Sequence, residues 1–521
     1  MDVEEREPYD AGAEPIDWQA IRQAERMGPA ERSGEDGFQA LRLSFRVPLD
    51  HRNKESTERI ALRAVLVFGP GLPVLSPGNV DSPENILRSL TPPKTKRPIL
   101  VYLCGGPGSA NPAFALPDLN RAILQRQHAI LYLDYRGTGD STPVTAERLH
   151  SIDGGGGSDA ADPSGRRRAA YLRHFTQDAI VADLEAVRLA LGGVRFVLLA
   201  QSFGGWIATT YLSFLPRALD AVYIAGGVPP PFGASPDAVY SKLYAGLRKA
   251  NKRYYELYPD DQERVVQVVR ALARMGGGRG VELPPGAHGQ RLTARGFMTM
   301  GRRFGLGDEG LKKVHEMVEM FWEDCQRDGV IAEDTLQRFV DMGGTGFRLP
   351  ERPLYAALHE AIYCYGPRVR SAWAAQRVGR EQHGACFAWL DHEFDFFADR
   401  LGRAQPLFFS GEMIYEFMLQ DAGPELEPFI TPAQALAQRE TWPPLYDVEQ
   451  LRRNTVPVRA LAYPEDLFVD FGLCKQTLEL IGNSTMTEAP GDWIHGSIKT
   501  RTKDVIDLLY PMPKIASNQD E

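Results

Sequence analysis

Cysteine is scarce in this chain. There are five in 521 residues, Cys104, Cys325, Cys364, Cys386 and Cys474, and no two have CxxC spacing. An odd, scattered set argues against both a disulfide framework and a thiolate metal site, and suits a reducing compartment. Basic excess is also missing: 59 Lys and Arg stand against 68 Asp and Glu, a net charge of −9. A surface built to neutralise phosphates needs the opposite balance, so nucleic acid is not an expected partner. Long apolar runs are absent too. No run reaches the roughly 18 residues a membrane helix needs, so no membrane partner is expected. The opening "MDVEEREPYDAGAEP" is acidic and polar, unlike a secretory signal. These absences together imply a cytoplasmic protein. No internal repeat is visible.

What is present is an ordinary globular composition, 43% hydrophobic and 24% charged. The length suits two to four units, or one large α/β enzyme with insertions. Residues 1–37 are polar and lack periodicity, which predicts a flexible lead-in. "FQALRLSFRVPLDH" and "ERIALRAVLVF" alternate as paired strands do. "RPILVYLCGGPGS", "HAILYLDYRGTGDS" and "VRFVLLAQSFGG" are continuous apolar runs ending in glycines, the pattern of buried parallel strands with helices on both faces. "SIDGGGGSDAADPSGRRRAA" reads as an exposed insertion, with Arg166, Arg167 and Arg168 in a solvated loop. "FTQDAIVADLEAVRLAL" has helical spacing and would be the crossover helix. Helical periodicity dominates from about residue 234 to 403. The expected arrangement is an α/β core of 38–233 and 404–521, with a mainly helical cap of 234–403 inserted between them.

Two glycine-rich turns carry chemistry. In "AQSFG" a serine, Ser202, ends a buried strand where a helix begins, with Ala200 and Gly204 two positions to either side. A sharp strand-to-helix turn exposes a nucleophile, and only small flanking residues fit it. A tight structural turn is the bland alternative. The second turn, "CGGPG" at Cys104–Gly108, also follows an apolar strand. Pro107 has no N–H, so a donor for an oxyanion falls to Gly106, paired with the N–H of Phe203. Otherwise it is a Gly/Pro turn without a role.

In this order the strings resemble the proline iminopeptidases, α/β-hydrolase-fold serine peptidases. "VPLDH" looks like their early strand, "CGGPG" their H-G-G-P-G, "LDYRGTGDST" their D-Q-R-G-x-G-x-S, "AQSFGG" their G-Q-S-F-G-G and "AGGVPP" their T-G-G-x-P-P. "GEMIY" and "DLFVDF" look like pieces of the larger members, and the resemblance spans roughly residues 40–500. Cys104, Tyr135, Asp140 and Ala200 depart from the pattern. They bear on substrate preference more than on reaction type.

A serine hydroxyl needs a base, and in this fold the order is Ser, then Asp or Glu, then His. His495, in "DWIHGS" near the C-terminus, is the expected base; a surface-loop histidine is the plain alternative. "YPEDLFVDF" offers Glu465, Asp466 and Asp470 as the acid. Asp466 matches the family's D-x-x-V, with Glu465 as its main rival. An aminopeptidase must also hold a cationic α-amine. The resemblance implies cap glutamates for that task, and Glu360 in "LHEAIY" and Glu412 in "SGEMIY" hold similar positions; either could instead be an ordinary helix-surface residue. Tyr363 and Phe203 could line a slot for a proline ring. The expected function is a serine aminopeptidase that releases an N-terminal residue, preferably proline, through an acyl-enzyme, acting on a peptide or small amide with a free N-terminus. No metal or cofactor is implied. An esterase or amidase on the same scaffold is the rival enzyme. A hydrolase-fold binding protein with a dead site is the rival outside catalysis. Epoxide hydrolases and dehalogenases need aspartate where Ser202 stands.

Overall fold

A computed structural model describes residues 14–28, 31–35, 37–69, 99–152, 163–384, 386–391, 394 and 406–511. Its centre is a ten-stranded sheet. The strands in chain order are β1 (Glu25–Arg26), β2 (Glu31–Ser33), β3 (Gln39–Pro48), β4 (Arg59–Phe68), β5 (Ile99–Leu103), β6 (Ile130–Leu133), β7 (Phe196–Gln201) and β8 (Leu219–Ala225). A separate two-stranded ribbon follows, β9 (Val281–Glu282) with β10 (Arg291–Leu292). The last two strands of the main sheet are β11 (Val458–Ala462) and β12 (Ser484–Glu488). The spatial order is β1-β3-β4-β6-β5-β7-β8-β11-β12, with β2 also on β3. β6, β5, β7, β8, β11 and β12 run parallel; β3 and β4 complete the sheet antiparallel.

The sequence pattern explains the burial. β5, β6 and β7 are buried at every position and apolar but for Gln201 at the end of β7, because helices cover both faces. β3 alternates buried with more exposed residues, as a strand with one covered face must. The crossover helix Gln177–Ala190 is buried from Gln177 to Val187.

Two expectations need correction. The lead-in does not extend to residue 37. Residues 1–13 lie outside the described residues, but from residue 14 the chain lies on the fold. Trp18 stacks on Phe214 with ring centroids 4.7 Å apart, and Ala24 N–H donates to Ala186 O at 2.9 Å. β1 and β2 pair antiparallel with β3, Glu25 against Arg46 and Glu31 against Arg42. Strands of two and three residues are too short to show any period. Arg166–Arg168, expected in a solvated loop, instead open the helix Arg166–Leu172. Arg168 donates to Pro428 O and Thr431 Oγ1, both at 3.0 Å, because this helix packs on the helix Glu427–Ala437. Residues 153–162 of that insertion lie outside the described residues.

Helices dominate between β8 and β11. The helix Pro236–Leu257 starts on Ser235, whose side chain accepts from Ala238 N–H. The helix Asp261–Arg274 packs against Asp308–Arg327. The helical layer continues past residue 403: Glu427–Ala437 packs against Pro353–Leu358. Among the described residues no helix is long and apolar enough to cross a membrane.

Candidate active site

Ser202 stands between the end of β7 and the helix Gly204–Phe214, with φ at +53°. That left-handed conformation is uncommon for a residue with a side chain and is held by its surroundings. Ser202 N–H donates to Ala225 O at 3.2 Å, and Gly205 N–H to Ser202 O at 2.7 Å. The glycines are explained by contact. A Cβ on Gly204 would stand 2.1 Å from Leu103 O, and one on Gly205 only 1.7 Å from Gly227 O. The helix therefore lies directly on the ends of β5 and β8, which no larger residue allows.

The "CGGPG" turn meets the serine. A Cβ on Gly105 would lie 2.9 Å from Ser202 Cβ. The backbone N–H groups of Gly106 and Phe203 have no protein acceptor among the described residues. Two free donors beside the half-buried Ser202 can receive a developing oxyanion.

Of the three acidic candidates after β11, Asp466 meets the histidine. Its Oδ2 lies 2.8 Å from His495 Nδ1, and its Oδ1 accepts from Phe468 and Val469 N–H at 2.8 and 3.2 Å. Glu465 is exposed, and Asp470 caps the helix Phe471–Leu480 through Leu473 N–H at 2.8 Å. The His495 ring is buried, with Phe468 edge-on at 4.8 Å. Burial opposes its charge, but the Asp466 carboxylate raises its pKa above the usual imidazole value. Consecutive glycines after β8 join the groups. A Cβ on Gly226 would lie 3.3 Å from His495 Nδ1, and one on Gly227 2.2 Å from Ser202 O. His495 Nε2 has no hydrogen-bond partner among the described residues.

The two cap glutamates have different surroundings. Glu360 is 6% exposed, and its two oxygens accept from Ala374 and Ala375 N–H at 3.2 and 2.9 Å. It thereby caps the helix Ala374–His383. It also secures the preceding turn, where Ala372 and Trp373 sit at φ +47° and +53°. Burial pushes its pKa up to about 7, against the pull of those N–H groups. Glu412 is paired with charge instead. Its Oε1 accepts from Arg302 at 3.1 Å and from the Tyr355 hydroxyl at 2.7 Å, while Oε2 carries no hydrogen bond among the described residues. Burial works against its ionised form, but Arg302 foremost, then His359 and His495, hold its pKa below the usual carboxylate range. Tyr363 is buried among Tyr240, His359 and Trp206, at ring distances of 5.6, 6.5 and 6.3 Å. Phe203 is buried in the serine turn.

Sequence reasoning missed Arg302, Tyr355 and His359. The doublet Arg302-Arg303 amid glycines in "MGRRFG" was the one visible signal, and it named no partner. Among the described residues no three His, Cys, Asp or Glu side chains gather as a metal site would require.

A serine on a strained strand-to-helix turn, set on a parallel sheet with an Asp–His pair after the last strands, defines an α/β hydrolase. A family model of the alpha/beta hydrolase fold matches residues 98–291. The chain is 32% identical over 479 residues to the proline iminopeptidase of Aeromonas sobria, covering 91% of this chain and 96% of that protein. A proline iminopeptidase of Aspergillus aculeatus is 29% identical over 493 residues, with 92% and 96% covered. This chain belongs to the proline iminopeptidase family. The crystal structure of the proline iminopeptidase from Mycobacterium smegmatis aligns over 91% of this chain and 95% of its own, at 12% identity and a TM-score of 0.36, too loose to equate residues.

Proposed function

We propose that this hydrolase is a serine aminopeptidase that releases an N-terminal residue, preferably proline, from a peptide or amide. The observation that carries the reading is Glu412. A mostly buried carboxylate kept ionised, with one oxygen uncommitted among the described residues, is an acceptor for a substrate ammonium. Glu360 has both oxygens engaged in a helix cap, so the amine falls to Glu412. Tyr363 supplies apolar surface nearby for the pyrrolidine ring.

Ser202 Oγ attacks the prolyl carbonyl while His495 Nε2 takes its proton. Asp466 holds the ring through Nδ1 and stabilises the imidazolium. Gly106 and Phe203 N–H receive the tetrahedral oxygen. As the C–N bond breaks, His495 returns the proton to the leaving amine. The prolyl ester on Ser202 remains; water activated by His495 then cleaves it, freeing proline and the serine.

The test is a panel of prolyl, alanyl and leucyl amides, acetyl-prolyl amide and short-chain esters. Prolyl amide should be turned over fastest, and acetyl-prolyl amide, whose nitrogen carries no charge, hardly at all. Efficient hydrolysis of the acetylated compound overturns the aminopeptidase reading in favour of an esterase or amidase.

A further inference from the structure

The chain carries a net charge of −9, yet cations collect on one side of the candidate site. Two of them are committed: Arg302 to Glu412, and Arg348 to Glu351 through Nε at 2.8 Å. Two others are not. The side chains of Arg352, half-buried, and Lys499, exposed, have no hydrogen-bond or ion-pair partner among the described residues. Glu351, the carboxylate next to Arg352 in sequence, is already taken by Arg348.

Both unpaired cations flank the turn that carries Gly106. Arg352 immediately precedes the helix Pro353–Leu358, whose Tyr355 hydroxyl holds Glu412. That helix start lies against the turn, since a Cβ on Gly108 would stand 2.9 Å from Tyr355 N and 3.1 Å from Leu354 Cβ. Lys499 lies in the helix Ser497–Thr500, about one turn beyond His495, within electrostatic range of Cys104, Arg352 and Arg302. The Arg352 pKa is lowered by burial and by repulsion from Arg302, and that of Lys499, whose exposed side chain rises from a packed helix, is lowered by desolvation of its base and by repulsion from Arg352 and Arg302, against the pull of Cys104. An anion placed between them would relieve that repulsion.

The substrate can bring the anion. An extended dipeptide is only about 7 Å long, so its carboxylate stays close to the scissile bond. We propose that Arg352 and Lys499 form a subsite for the free C-terminal carboxylate of a prolyl dipeptide. The inference rests on the reading that Glu412 takes the amine and Ser202 the carbonyl, which leaves the far end of the substrate at this turn. Dipeptides are then favoured over longer chains, whose carboxylates lie farther out, and over capped amides.

Proline release from prolylglycine and from prolylglycinamide compares the same leaving residue with and without the charge. The wild-type protein should favour the free acid about 5- to 10-fold in kcat/KM, mostly through KM, since a group bound alike in ground and transition states acts there. The advantage should shrink in 0.5 M salt, because exposed charges are screened. The double variant Arg352→Gln/Lys499→Gln should bring the ratio close to one, by losing the acid far more than the amide. Lys503→Gln, an exposed lysine paired with Asp507, should leave the ratio as it was. A wild-type ratio near one, or equal losses on both substrates in the double variant, overturns the subsite while leaving the aminopeptidase reading intact. Failure to release proline from either compound overturns the reading itself, and the subsite with it.

Discussion

The sheet side and the cap side of the candidate site are built on different principles. On the sheet side, groups are placed by backbone turns. Ser202 is held by its own φ and by glycine contacts, Gly106 and Phe203 offer main-chain N–H groups, and Asp466 and His495 follow the ends of β11 and β12. On the cap side, groups are placed by side-chain partners from distant elements, as Glu412 is by Arg302 and Tyr355. On the proposed function, the first kind of construction fixes what bond can be attacked and the second which molecule is presented. Reaction and recognition should therefore separate under mutation.

The largest expected effect tests the sheet side. Ser202→Ala should lower turnover at least about 10⁴-fold on every substrate, amine or ester, and adding His495→Ala should do little further damage, since the groups act as a unit. Near wild-type kcat in a folded Ser202→Ala protein would break the comparison at its base.

Next is Asp466→Asn, expected to cost about 10³- to 10⁴-fold in kcat, while Glu465→Gln keeps most activity. The pH profile adds a sign. His495 must be neutral to accept a proton, and its pKa is raised, so kcat/KM should fall as pH drops through a value above the ordinary imidazole range. Losing the carboxylate removes the strongest influence that raises the pKa and leaves burial and Arg302 opposed only by Glu412, so the residual activity of Asp466→Asn should show that limb at lower pH. A limb that stays in place would mean another group sets it.

A smaller and selective effect belongs to the cap. Glu412→Gln should reduce kcat/KM about 10- to 100-fold on prolyl amide, the loss of a charge-assisted hydrogen bond worth roughly 1.5–3 kcal/mol, and spare an amine-free ester. Equal losses on both would erase the division between the two sides.

Glu360→Gln should be the mildest in catalysis and visible in stability. Its folded pKa, about 7, lies above the ordinary 4.5, so the fold favours the neutral acid. That advantage is full below about pH 4.5 and is lost as pH rises towards 7, a swing of about 3 kcal/mol at most. Denaturant midpoints at pH 5 and pH 8 should differ less in the glutamine variant than in wild type. An unchanged pH dependence would show that Glu360 is not the group titrating.

The same division explains what could be read from the chain before its fold was known. The serine turn was legible because its requirement is local: small residues at fixed offsets from Ser202, between an apolar strand and a helix. The order of acid and base narrowed Asp466 and His495 in the same way. Glu360 and Glu412 could not be told apart, since both sit among apolar and aromatic residues. What distinguishes them is Arg302, 110 positions from Glu412, and the N–H groups of Ala374 and Ala375, 14 and 15 positions from Glu360. Arg168 was misplaced for a like reason, its acceptors lying more than 250 positions onward. Sequence periodicity reports burial against a whole neighbouring layer and carries no record of single long-range partners.

The short strands before β3 bear on how the protein behaves in solution. β3 is ten residues long, and without β1 and β2 its outer edge would offer a row of unpaired main-chain groups to any passing strand. Glu25 and Glu31, set opposite Arg46 and Arg42, supply a cover whose charges match the edge they hide. A chain begun at Phe38 would keep every group of the candidate site and lose that cover. Its failing would be colloidal, seen as concentration-dependent self-association in light scattering while each surviving monomer still turned over substrate.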